Sequence, residues 1–166
     1  MDRYTWERHP ASKTWFSAEN PLSWALSLSW PEFSDLYRAA NVEILDLFAE
    51  DMAGDSPDAV LMVDGGVTHP SLLAKVIPPE RIFCIEVDLA ESARMWNEDE
   101  DRVVMKNMIL ELADGEGKWR WFLDFDGAIS ENIVAESRRA GIRVFLRDDR
   151  VSVADLARVV VEHFRI

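Results

Sequence analysis

The run Ala59-Val-Leu-Met-Val-Asp64-Gly65-Gly66-Val-Thr-His69-Pro70 constrains this chain more than any other feature. An unbroken apolar stretch is what a strand buried on both faces requires, and it stops abruptly on Asp-Gly-Gly. The expected result is a parallel strand that delivers a carboxylate and a permissive backbone into a crevice where a ligand can sit. The G-x-x-x-x-G-K-[ST] string, whose amides and lysine would let such a crevice grip phosphate, occurs nowhere in the sequence. The pattern therefore specifies an architecture more firmly than an activity.

Composition sets the bounds. A chain of 166 residues suits one domain that hides about two thirds of its unfolded surface. With 48% hydrophobic and 30% charged residues, neither disorder nor a membrane span is indicated. The 31 acidic and 18 basic side chains give a formal charge of −13, which repels phosphate backbones and anionic lipid surfaces. No nucleic-acid partner and no membrane partner are expected. The single cysteine, Cys84, lies within the apolar run Arg81-Ile-Phe-Cys-Ile-Glu-Val87 and reads as core packing. With no second cysteine to pair and no apolar leader, the expected setting is a reducing cytoplasm.

Residues 1–166 read as one domain in two parts. Residues 1–58 form a helical segment rich in tryptophan, with Trp6, Trp15, Trp24 and Trp30 carrying too much apolar area to remain in water. They are expected to cover the edge or one face of the domain, or else a partner subunit. From Pro31 to Gly54 the apolar spacing predicts one long amphipathic helix, followed by a turn at Asp55 to Asp58. Residues 59–166 then alternate strand and helix. Strands are expected at 59–64, 81–87 and 142–146, and helices at 71–76, after the Asp88/Glu91 capping box, through 103–112, over 118–140, and after Ser152, which with Asp155 caps the last helix. This order implies an α/β fold, a mostly parallel sheet with helices on both faces.

From Ala59 onward the chain resembles the later part of the P-loop small-molecule kinases, most closely the shikimate kinase and nucleoside or nucleotide kinase group. Val63-Asp64-Gly65-Gly66 is similar to the strand that ends in Gly-Gly beside the phosphate acceptor in that family. Ser71 through Arg94 parallels its next helix, strand and acidic helix start. Arg94-Met-Trp-Asn-Glu-Asp-Glu-Asp-Arg102 matches the arginine-bearing lid in position but is far more acidic, and Ser152-Val-Ala-Asp-Leu-Ala157 resembles the opening of the final helix. The family's first strand and phosphate loop have no counterpart, so the resemblance implies a degenerate or truncated phosphotransferase. Its ancestral substrate would be a small hydroxylated metabolite or nucleoside, and its cofactors ATP and Mg2+.

Each candidate residue has a functional and a plainer reading. Asp64 would hold Mg2+ through water or orient an acceptor hydroxyl, or it merely caps the short helix and steadies the turn. Gly65 and Gly66 would let a substrate approach the backbone, or simply form a tight turn. His69 would shuttle a proton, or satisfy a local hydrogen bond at the helix entrance before Pro70. Arg94 and Arg102 would bind the phosphates of the cofactor, or pair with Glu98 to Asp101. Asp149 and Arg150 would border the nucleotide base, or form a polar turn before Ser152. His9, His69 and His163 are too scattered for a zinc pattern, and Gly115 to Lys118 lacks the strand and spacing of a phosphate loop. The reading from a different class is a non-catalytic interaction or regulatory module, a homo-oligomer or one completed by a partner subunit.

Overall fold

A computed structural model describes residues 7–53, 62–65, 67–148 and 150–165. The expectations for Trp6, Gly54, the turn at 55–58, the first part of the 59–64 strand, Gly66 and Asp149 lie outside these residues. Within them the chain is mostly helical: α1 (Pro10–Phe16), α2 (Pro21–Ala25), α3 (Trp30–Ala53), α4 (Pro70–Leu73), a single 3-10 turn (Pro79–Arg81), β1 (Phe83–Val87), α5 (Leu89–Glu98), α6 (Glu100–Leu110), α7 (Gly115–Arg139), β2 (Arg143–Arg147) and α8 (Val153–Phe164).

Local chemistry explains most of these boundaries. Pro10, Pro21 and Pro70 begin α1, α2 and α4 with a preset φ. Asp88 caps α5 by accepting the amides of Ala90 and Glu91, whereas Glu91, expected to complete the capping box, turns to Arg94. Ser152 accepts the Asp155 amide at 3.1 Å, as its spacing predicts. Helix α7 starts at Gly115, three residues before the expected Lys118, because Gly115 follows the last turn of α6 so closely that a Cβ would lie 2.3 Å from the Leu110 carbonyl oxygen. It ends at Arg139, with Gly141 just beyond its cap at a φ of +76°.

Helix α7 is the spine. Phe125 packs with Phe33 and Ala25 in an aromatic cluster that also takes Trp15, Trp30, Tyr37 and Trp121. The Phe33 and Phe125 rings meet edge to face at 4.6 Å, and Trp24 leans on Trp15 at 6.0 Å. Trp15 and Trp30 thus cover the start of α3 and one side of α7, as their apolar area requires. A second cluster, around Ile109, Trp119 and Leu26, ties α6 and α2 to the same spine.

The strands β1 and β2 form a two-stranded parallel sheet, in register from Phe83 opposite Arg143 to Val87 opposite Arg147. Helices α5, α6 and α7 make the crossover that parallel pairing demands. Three strands were expected. The described end of the first, Met62 to Asp64, is not in a strand, and Met62 and Val63 are 72% and 61% exposed. An apolar run supplies the propensity for a strand, but a strand also needs a ladder partner, and among the described residues Met62 to Asp64 have none.

Candidate functional site

Among the described residues, buried polar side chains near the expected site gather where α3, the segment before α4, and α7 meet. Helix α3 brings Arg38 and Asn41 one turn apart, α7 brings Asn132 and Glu136 one turn apart, and Thr68, His69 and Ser71 lie between them. His69, Asn41 and Glu136 are buried. Asn41 Nδ2 donates to Thr68 Oγ1 at 2.8 Å and lies 3.3 Å from His69 Nδ1, which is also 3.2 Å from Thr68 Oγ1. Asn132 Nδ2 donates to the Thr68 carbonyl at 3.3 Å. With the Asn41 amide nitrogen as donor, Nδ1 of His69 accepts in this contact, and the ring proton sits on Nε2.

Glu136 is the anchor. Its Oε2 accepts the Ser71 hydroxyl at 2.5 Å and the Ser71 amide at 3.2 Å, while Oε1 faces Arg38 Nη1 at 3.6 Å. Burial alone would raise the Glu136 carboxyl, but the Ser71 hydrogen bonds, with His69 and Arg38, hold it below the ordinary range. Burial depresses the His69 imidazole, against the pull of Glu136. Ser71 donates its hydroxyl to the carboxylate, so this Ser, His and Glu grouping does not activate a nucleophile.

The arrangement at α1 is the same device. His9 and His69 both precede proline, both are buried, and both have φ −125°, with ψ 63° and 78°. Neither side chain caps its helix. A glutamate of a long helix does so instead: Glu43 of α3 accepts the amides of Ala11 and Ser12 at 2.8 and 3.0 Å and the Ser12 hydroxyl at 2.8 Å. Negative charge at a helix start and satisfied amides explain both pairings. Sequence reasoning missed Glu43, Asn41 and Glu136, although the repeated His-Pro followed by serine was visible in the sequence.

The other expected site residues are placed separately. Asp64 is exposed, and Gly65 has a φ of +80°, which a turn at this point requires. Arg94 bonds Glu91 and Glu98 on its own helix, at 2.5 and 2.8 Å. Arg102 stacks on the Trp96 ring, 4.7 Å from its centroid. Arg150 pairs with Asp148 at 2.6 Å, in the turn before Ser152. No described contact links Asp64 to Arg94 or Arg102. Among the described residues no three His, Cys, Asp or Glu side chains are grouped to hold a metal ion. Burial pushes the Cys84 thiol up, as a packing role requires. No described helix is long and apolar enough to cross a membrane.

No family model, curated protein or solved structure matches the chain.

Proposed function

We propose that this chain is a non-catalytic interaction or regulatory module on a kinase-like α/β scaffold, completed by another polypeptide over its last strand and helix. The observation that carries the reading is α8. It is strongly amphipathic, yet none of its twelve residues is buried. Val153 on this helix is 78% exposed, and Leu146 on the adjoining strand 54%. Parallel sheets are normally enclosed, so a two-stranded one beside such a helix is a surface suited to being covered.

The finer fold belongs to the same proposal: a mostly parallel sheet with helices on both faces. In its support, the Phe83 ring meets His163 and Phe164 of α8, at 5.1 and 6.5 Å, while Glu86, on the same strand, pairs with Arg138 of α7 at 2.7 Å. A cytoplasmic setting, without nucleic-acid or membrane partners, fits the acidic chain and its lone thiol. The test is incubation of the isolated chain with Mg-ATP and small hydroxylated acceptors. No product above buffer is expected, and turnover would overturn the reading.

The degenerate P-loop kinase is the second reading. What favours it is a polar group beyond the carboxyl ends of β1 and β2, where Asp88, Glu91, Arg147 and Asp148 gather and open α/β sheets take ligands. Titration of Mg-ATP into the wild-type chain and Arg147→Ala tests it. Binding that the substitution weakens supports this reading, and no binding by the wild-type chain removes it.

A further inference from the structure

We propose that the groove between α5 and α7 docks a basic amphipathic helix of a partner protein, with aliphatic side chains on its floor and lysine or arginine against its carboxylates. This rests on the interaction-module reading, gives that module a partner chemistry, and concerns other elements than β2 and α8.

The groove holds about 310 Å3, and its floor is apolar, formed by Leu89 and Ala93 of α5 and Leu123 of α7. Gly127 keeps it open. A Cβ there would find Leu89 Cδ2, at 4.0 Å, as its nearest atom from another element, so the side chain that α7 lacks leaves room for one from elsewhere. Helix α5 has an apolar side, with Leu89, Ala93 and Trp96 at three- and four-residue steps, yet none of its ten residues is buried, and Leu89 is 43% exposed. Two helices with such a furrow between them accept a third as ridges into grooves.

The rim carries one sign of charge. Asp124 and Glu131 are exposed, and Asp126 is oriented by the Ser92 hydroxyl, which donates to its Oδ2 at 2.8 Å. Residues 121–137 contain no lysine or arginine, and the one cation of α5, Arg94, is held by Glu91 and Glu98 of its own helix. None of the three rim carboxylates has an ion pair among the described residues. Asp124 and Glu131 stand seven residues apart on α7, about 10 Å along its axis, with Gly127 between them. A helix that presents two cations at the same spacing, with an aliphatic side chain between them, matches charge and apolar surface together. An acidic segment would be repelled by the rim, and a purely apolar one would leave the carboxylates facing hydrocarbon.

Fluorescence anisotropy of a labelled peptide titrated with the full chain, in about 150 mM salt, tests the proposal. The peptide is a helix of leucine and lysine with leucines at three- and four-residue steps, and its control is the same composition scrambled so that no apolar face forms. The amphipathic peptide is expected to bind at least about tenfold more tightly than the control. Gly127→Leu, which fills the groove without changing charge, and Glu131→Lys should each weaken that binding about tenfold or more, with unchanged circular dichroism. Asp101→Lys, an equal charge change on α6, should leave it within about twofold. Equal binding of the two peptides, or a Gly127→Leu chain that binds as the wild type does, overturns the proposal. Binding of spermidine but not of the peptide assigns the rim to a free polyamine and overturns it as well. Mg-ATP turnover measured on the same samples separates the two levels: an inactive chain that leaves the peptide unbound loses this proposal alone, whereas turnover removes the module reading.

Discussion

Ser71 and Glu136, 65 residues apart, are joined twice at one carboxylate oxygen, through the Ser71 amide at 3.2 Å and its hydroxyl at 2.5 Å. Ser12 and Glu43 repeat the relationship at the start of α1. In both places a short proline-led segment has no cap of its own, and a long helix supplies one. The histidine before each proline is buried as well, and His69 meets Asn41 and Thr68 there.

Glu136→Ala should remove that cap and leave the Ser71 donors without a partner inside the protein. A buried polar group stripped of its partner costs about 1–3 kcal/mol. Urea denaturation of the variant is expected to show a loss in that range with an unchanged slope, since the unfolded surface is the same. Glu43→Ala should behave alike at α1.

The pH dependence of stability follows from His69 and Glu136. The His69 imidazole is depressed from its ordinary value of 6.5, so the unfolded chain binds its proton first as pH falls. Stability should be full above pH 6.5 and decline below it, down to the depressed folded value. The Glu136 carboxyl is held below 4.5, and its contribution, present above that pH, is lost as pH falls through its lower folded value. Thermal melts across the acid range should show both declines, and His69→Gln should flatten the one nearer neutrality.

Much of this architecture was legible in the sequence because it is local. The apolar spacing from Pro31 onward, the Asp88 and Ser152 caps and the left-handed Gly141 are set by neighbouring residues, and they fall where the pattern places them. The site was less legible. Asn41, Thr68 and Asn132 meet only after α3 and α7 pack, and nothing in the spacing of three residues so far apart announces it. Arg94 shows the limit from the other side: the Glu98 four residues away takes it at 2.8 Å, as helical geometry favours, whereas Arg102 turns to Trp96 through a packing contact.

Two glycines of α7 should respond to alanine with opposite signs. At Gly115 an added Cβ would lie 2.3 Å from the Leu110 carbonyl oxygen and 2.7 Å from its carbon, so backbone must move. Gly115→Ala is expected to cost about 1–3 kcal/mol. At Gly127 the nearest atom would be Leu89 Cδ2 at 4.0 Å, an ordinary contact. Gly127→Ala should stabilise the helix by about 0.4–1 kcal/mol, through the reduced freedom of the unfolded chain. Thermal unfolding of the two variants, side by side, checks both signs.

The two sides of α6 should separate stability from surface behaviour. Ile109 is fully buried among Trp119, Leu26 and their neighbours, and truncating it leaves a cavity that the aromatic rings around it are poorly able to fill. Ile109→Ala is expected to cost about 2–5 kcal/mol. Val104, five residues earlier on the same helix, faces water, and Val104→Ala should stay within about 0.5 kcal/mol of the parent. Denaturation midpoints measured at low protein concentration test this contrast without interference from association. Equal losses at the two positions would mean that Val104 is covered by the chain itself.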